Sequence, residues 1–168
     1  MSNPGKFFKK KYDDGEYKGE LKNDKRHGEG MMRYTKGKFK DEVYVGNWKD
    51  DKKDGWGTLK IDRNCFYEGE WEDNYEHGWG KLKYKDGFYE GEWKNGKVHG
   101  YGKYTFNNGR TLEGNWKDNK PDGYGISIGE NNDIQIVQIY QGVALKGMIK
   151  QSNGSINRIS DNTHKQNF

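Results

Sequence analysis

From Tyr67 to Gly125 the chain alternates between two classes of residue with a period of two. Tyr67, Gly69 and Trp71 share one parity, and Glu68 and Glu70 take the other. The same order returns at Tyr89, Gly91 and Trp93 with Glu90 and Glu92, and again at Leu112, Gly114 and Trp116. A period of two belongs to a β-strand, and a helix holding this many glycines would carry a large propensity cost. Six residues separate Trp71 from Gly78, Trp93 from Gly100 and Trp116 from Gly123, a spacer rich in Asp, Asn, Lys and Gly that reads as a turn. A second strand follows as Gly-x-Gly-x-x-x-aromatic (Gly78 and Gly80, Gly100 and Gly102, with Gly123 and Gly125 opening the last copy) and closes on Asp86-Gly87 or Asn108-Gly109. Each stretch is therefore expected to be a β-hairpin.

The hairpins repeat. Units start near residues 17, 44, 67, 89 and 112, and self-similarity at this period marks a repeat array. The array is expected over residues 12–130, with Tyr12–Gly15 as the remnant of a further unit and a longer far loop around Lys36–Val43. Residues 1–11 fall outside the repeat and read as a basic flexible arm. Residues 131–168 read as a degenerate β cap and C-terminal tail, with Tyr140 and Gly142 as a worn sixth start. The run Ile134–Tyr140 is apolar on both parities, placing Val137 and Ile139 on the face that is polar elsewhere. Two readings stand for it: a cap over an exposed sheet edge, or a docking edge.

Glycine weakens a strand unless something large needs the room. Gly78 and Gly80, by parity, share a face with Leu82 and Tyr84, so the rings of Tyr67, Trp71, Tyr89, Trp93 and Trp116 are expected to lie over bare glycine backbone of an adjacent strand. The fourth unit, Y89-E-G91-E-W93-K-N-G96-K-V-H99-G100-Y-G102, resembles the MORN (membrane occupation and recognition nexus) repeat at every fixed position. The third unit has Asn74 in place of the mid-loop Gly, the second and fifth carry Asp54 and Asp122 in place of His, and the first has Leu21 in place of Trp. The resemblance implies an all-β fold, an elongated single-layer antiparallel sheet of consecutive β-hairpins.

Composition narrows the function classes. Of 168 residues only 30% are hydrophobic while 33% are charged, and the mean hydropathy is -1.35, which suits a thin aromatic-lined layer rather than a thick core. The net charge of +4 comes wholly from Lys6, Lys9, Lys10 and Lys11, leaving a neutral body. That argues against nucleic acid as a partner. The single cysteine, Cys65, permits no intrachain disulfide, no run approaches a spanning helix, and the first residues lack the apolar core of a secretory signal. A cytoplasmic protein is expected.

Between the paired glycines stand Trp56, Trp79, Tyr101 and Tyr124, which strand parity points away from the Tyr/Trp/Gly face. Beside this aromatic row run Glu68, Glu70, Glu90 and Glu92, with Lys81, Lys83 and Lys103. They are either cross-strand ion pairs with rings resting on them, or the anchors and charged rim of a partner site. Lys6, Phe7, Phe8, Lys9, Lys10 and Lys11 form a candidate arm for an anionic membrane or a partner. His27, His77 and His99 precede turn glycines and are spaced too far apart for a shared metal, Cys65 has no base beside it, and no phosphate-binding loop or hydrolase elbow occurs. No enzyme activity, metal or cofactor is expected.

The resemblance to radial-spoke and cytoskeletal MORN scaffolds implies a non-catalytic protein-interaction scaffold in a large cytoskeletal or ciliary assembly. The alternatives are a peripheral membrane protein reading anionic lipid and a regulatory subunit for an enzyme on another chain. Free sheet edges would also permit a homodimer through the ends of the array.

Overall fold

The computed structural model describes residues 7–159, with only the backbone described for Ala144 and Ile159. Lys6 and the residues beyond 159 lie outside the described residues. The chain divides into two units, residues 1–85 and 86–168. In the first, β1 (Phe8–Tyr12), β2 (Gly15–Lys22), β3 (Lys25–Tyr34), β4 (Val43–Lys49), β5 (Lys52–Lys60), β6 (Phe66–Glu72) and β7 (Tyr75–Lys83) pair antiparallel in that order. In the second, the order is β8 (Gly87–Lys94), β9 (Lys97–Phe106), β10 (Thr111–Lys117), β11 (Lys120–Ile128), β12 (Ile134–Tyr140), β13 (Val143–Lys150) and β14 (Ile156–Ile159), again antiparallel. The architecture is all-β, an antiparallel sheet of consecutive hairpins. Among the described residues there is no helix, and so none long and apolar enough to cross a membrane.

Asp and Asn fix the hairpin tips. Asn23-Asp24, Asp50-Asp51, Asp73-Asn74, Asn95-Gly96 and Asp118-Asn119 all have positive φ, as a two-residue type I′ turn requires. Only these two residues turn in each case. The spacer expected to be a turn throughout is mostly strand, and β7, β9 and β11 begin three residues before Gly78, Gly100 and Gly123.

A bulge then turns one position over. Gly78 and Gly100 sit in the left-handed region at φ 55° and 62°, and the first strand slips register at the same level, between Gly69 and Glu70 and between Gly91 and Trp93. Gly78 and Gly80 therefore do not share a face. A Cβ on Gly78 would meet the Glu70 carboxylate, whereas one on Gly80 would meet the Tyr67 ring.

Two further expectations are corrected. Phe8–Lys11 do not belong to a flexible arm: they form most of β1, with Lys9 opposite Lys18 and Lys10 opposite Tyr17. Tyr12 anchors the strand by packing edge-on against Tyr17 at 6.4 Å, and Lys10 Nζ reaches Asp24 Oδ1 at 2.6 Å. Val137 and Ile139 do not break through to the polar face. Pairing of Val137 with Gly125 and Ile139 with Gly123 turns both side chains to the buried face, where they cluster with Leu112 and Trp116.

Candidate functional site

The buried face is built from rings and glycines. Tyr17, Tyr44, Tyr67 and Tyr89 are almost wholly buried, each lying over the glycines of its own hairpin. A Cβ on Gly30, Gly57, Gly80 or Gly102 would run into the hydroxyl of the corresponding tyrosine. Each hydroxyl donates to a carbonyl three residues on: Tyr17 to Glu20 at 2.9 Å, Tyr44 to Asn47 at 2.9 Å, Tyr67 to Glu70 at 2.9 Å and Tyr89 to Glu92 at 3.2 Å. Gly69 and Gly91 face Gly80 and Gly102 across the pair, and Gly114 meets Gly125 in the same way. Burial lifts the Tyr17 phenol to about 12 and those of Tyr44 and Tyr67 higher still.

The tryptophans make the connection between repeats. Trp48, Trp71 and Trp116 donate their indole Nε1–H to the carbonyls of Gly30, Gly57 and Gly102, in the hairpin before their own, at 3.2, 3.1 and 3.1 Å. Their rings meet the preceding tyrosine edge-on: Tyr17–Trp48 at 5.7 Å, Tyr44–Trp71 at 5.3 Å and Tyr89–Trp116 at 5.3 Å. Trp93 packs on Tyr89 at 5.6 Å. So the tyrosine covers its own glycines, and the tryptophan covers the previous tyrosine. Near the turns two cations join the buried face. The Arg26 guanidinium lies 4.4 Å from the Trp48 ring, and the Lys53 ammonium lies 4.5 Å from Trp71 and 5.2 Å from Tyr44.

The opposite, outer face carries the candidate partner residues. Trp56, Trp79, Tyr101 and Tyr124 all point outward there and are each about half exposed or more. Trp56 and Trp79 stand on β5 and β7 of the first unit, Tyr101 and Tyr124 on β9 and β11 of the second. Glu70 and Glu92, expected as rim charges, do structural work instead. Glu70 Oε1 accepts the Trp79 backbone N–H at 2.9 Å and Glu92 Oε1 that of Tyr101 at 2.9 Å, each carboxylate lying over the bulge glycine. Asn47 Oδ1 does the same for Trp56 at 3.2 Å and Glu20 Oε1 for Glu29 at 3.1 Å.

Glu68 stands opposite Lys81 and Glu90 opposite Lys103, in cross-strand register, while Lys83 stands opposite Phe66. Lys103 Nζ also reaches Glu113 Oε2 at 3.4 Å, and the Tyr101 hydroxyl donates to Glu113 Oε1 at 2.6 Å. That hydroxyl, more than Lys103, holds the Glu113 carboxyl below the usual range. Tyr101 is thus tied into a charged pair, whereas the Trp56 and Trp79 indoles lie in the open. At the corner near β1, Phe7, Lys9 and Lys11 are exposed, and Phe7 lines a concavity with Lys18, Met31 and Trp56.

Residues the sequence reading passed over form a second ladder at the turns. Asp51, Asn74 and Asn119 accept the backbone N–H of Arg26, Lys53 and Val98 on their side chains at 2.9 Å each and return a backbone N–H to the same residues. The signal was present: the second turn residue is Asp or Asn in each of these hairpins. His77 Nδ1 lies 3.2 Å from Glu72 and His27 Nδ1 lies 3.6 Å from Asp50. Among the described residues no three His, Cys, Asp or Glu groups converge to hold a metal ion. Cys65 is half-buried, and burial pushes its thiol up, away from the reactive thiolate.

Five segments, 17–39, 44–61, 67–87, 89–109 and 113–134, match the MORN repeat model and together take in more than half of the chain. A direct sequence comparison with curated proteins finds no match. MORN repeats are generally modules for protein or membrane interaction and are not enzymes. With five matched copies, each folded as a hairpin and four of them with a tyrosine resting on the hairpin's own glycines, the chain belongs to the MORN repeat family.

Proposed function

We propose that the chain is a non-catalytic interaction scaffold, a structural component of a cytoskeletal or ciliary assembly, and that partners contact its outer face. One observation carries this reading. On the buried face Tyr17, Tyr44, Tyr67 and Tyr89 cover glycines and Trp48, Trp71 and Trp116 cover tyrosines, yet Trp56 and Trp79 stand on the outer face with about half of each residue exposed. Exposed indoles within a charged surround are the usual anchors of a protein interface. Pull-down from cells reads the idea directly: Trp56→Ala with Trp79→Ala loses partners that the parent retains, while the melting temperature stays within about 2 °C. An unchanged partner set from the folded variant refutes it.

The corner formed by Lys9, Lys11, Lys18 and Arg33, where Glu16 offsets one cation by pairing with Lys11 at 3.8 Å, favours a second reading, attachment to an anionic lipid surface. Deleting the first eleven residues would strip β1 from the sheet, so charge reversal is the cleaner test. Lys9→Glu with Lys11→Glu abolishes flotation with phosphatidylserine vesicles if this corner binds lipid, and leaves it unchanged if not.

A further inference from the structure

The outer face changes character within the second unit. On β8–β10 it is polar, with Glu90, Glu92, Lys103 and Glu113 beside Tyr101. On β11 and β12 they become aliphatic: Ile126 lies opposite Ile136, and Ile128 opposite Ile134. Met148 of β13 extends the row beyond Ile136, and all five side chains are at least a third exposed. Val137 and Ile139 already fill the buried face, so these isoleucines serve no core. An apolar patch running across three strands marks a contact site rather than a scattered surface residue.

The charges beside the patch differ from side to side: Glu113, opposite Ile126 on the β10 side, is already held by Tyr101 and Lys103, and the free charges lie on the other side. Lys146 stands opposite Gln138, Lys150 opposite Ile134, and Arg158 opposite Met148, so cations line the β13–β14 side. Among the described residues of β11–β14 the one carboxylate is Asp122, which stands at the turn end of β11 away from the isoleucines and accepts the Gln141 N–H at 3.1 Å. Strands about 4.8 Å apart, with same-face residues about 6.8 Å apart along each, make the isoleucine block roughly as wide as one helix, about 10 Å.

We infer that the outer face of β11–β14 docks an amphipathic helix of a partner protein, its apolar stripe on Ile126, Ile128, Ile134 and Ile136 and an acidic flank facing Lys146, Lys150 and Arg158. A lipid surface presents charge evenly and would be matched by cations around the whole patch. A second copy could oppose these cations only with its own Glu113, a single carboxylate already bonded to Tyr101 and Lys103. A one-sided acidic helix fits both features. The inference rests on the reading of the chain as an interaction scaffold but uses a different patch from Trp56 and Trp79, so the two fail separately.

The test titrates the full chain with a synthetic helical peptide of about 18 residues, with leucines on one face and glutamates along one flank, and with the same peptide carrying lysines instead. The glutamate peptide binds, more weakly at high salt, and the lysine peptide does not. Lys146→Glu with Arg158→Glu weakens the glutamate peptide at least about tenfold and admits the lysine peptide. Ile126→Ser with Ile136→Ser, on exposed positions, removes binding with the melting temperature kept, and Trp79→Ala changes nothing. Equal binding of both peptides, no binding of either, or binding untouched by the isoleucine pair overturns the inference. So does flotation with phosphatidylserine vesicles that depends on the isoleucines, or a dimer that they hold together.

Discussion

Lys53 shows how one side chain is bent to the needs of the ring face. Its ammonium sits among Tyr34, Phe39, Tyr44 and Trp71, and burial lowers it to about 8, while Glu76 and Glu42 act in the opposite direction. The unfolded chain keeps the ordinary value of 10.5. Between those values the unfolded state holds a proton that the folded state has released, so stability rises with pH there; the contribution is complete above 10.5 and is lost as pH falls through 8. Tyr17 and Tyr34, lifted by burial from 10.0 to about 12, work the other way. Their contribution is complete below pH 10 and is lost as pH climbs through 12. The unfolding free energy from urea titration is therefore expected to climb by on the order of 2 kcal/mol between pH 8 and 10 and to drop above it. Lys53→Met removes the climb and keeps the drop. The glycine shelves give a second residue-scale contrast. Gly102→Ala drives a methyl into the Tyr89 hydroxyl and costs about 1–3 kcal/mol. Leu112 replaces the tyrosine over Gly125, where a Cβ finds ordinary contacts of 3.4–3.6 Å, so Gly125→Ala holds or gains about 0.4–1 kcal/mol. Chemical denaturation of the two variants compares them.

At the scale of the hairpin, the turn residue couples one element to the one before. Asn119→Gly preserves the left-handed turn and deletes only the side-chain bond to the Val98 N–H, for an expected loss of about 1 kcal/mol by denaturant titration. The fourth unit already carries glycine at that place, Gly96. Strands, turns and the pairing of rings with glycines were legible in the chain because alternation and Asn-Gly chemistry are local. The bulge was not: the left-handed backbone at Gly78 turns that one position toward Glu70 while its neighbours keep their faces, which misassigned the face of that glycine and hid the task of Glu70. The same limit put Val137 on the wrong side, since its face is set by register with Gly125 and not by its own neighbours in sequence. β1 escaped notice because Lys9–Lys11 look like a solvated tail until Tyr12 is seen against Tyr17. The Trp56 and Trp79 positions were legible, since two glycines fix the residue between them.

In the molecule as a whole the two faces divide fold from contact. Trp71→Ala removes a buried indole, its bond to Gly57 and its cover of Tyr44, for about 3–5 kcal/mol of lost stability by thermal melting. Trp79→Ala changes the melt by less than about 0.5 kcal/mol, as an exposed position should. Comparable losses from both would mean that the outer rings belong to the fold after all. The backward reach of the indoles also gives each unit a direction. Like roof shingles, Trp48 seals Tyr17, Trp71 seals Tyr44 and Trp116 seals Tyr89, so a hairpin leaving the ribosome stays unroofed until its successor emerges. Within residues 1–85, peeling from the later end bares Tyr44 and then Tyr17, while peeling from the earlier end leaves Trp71 over Tyr44.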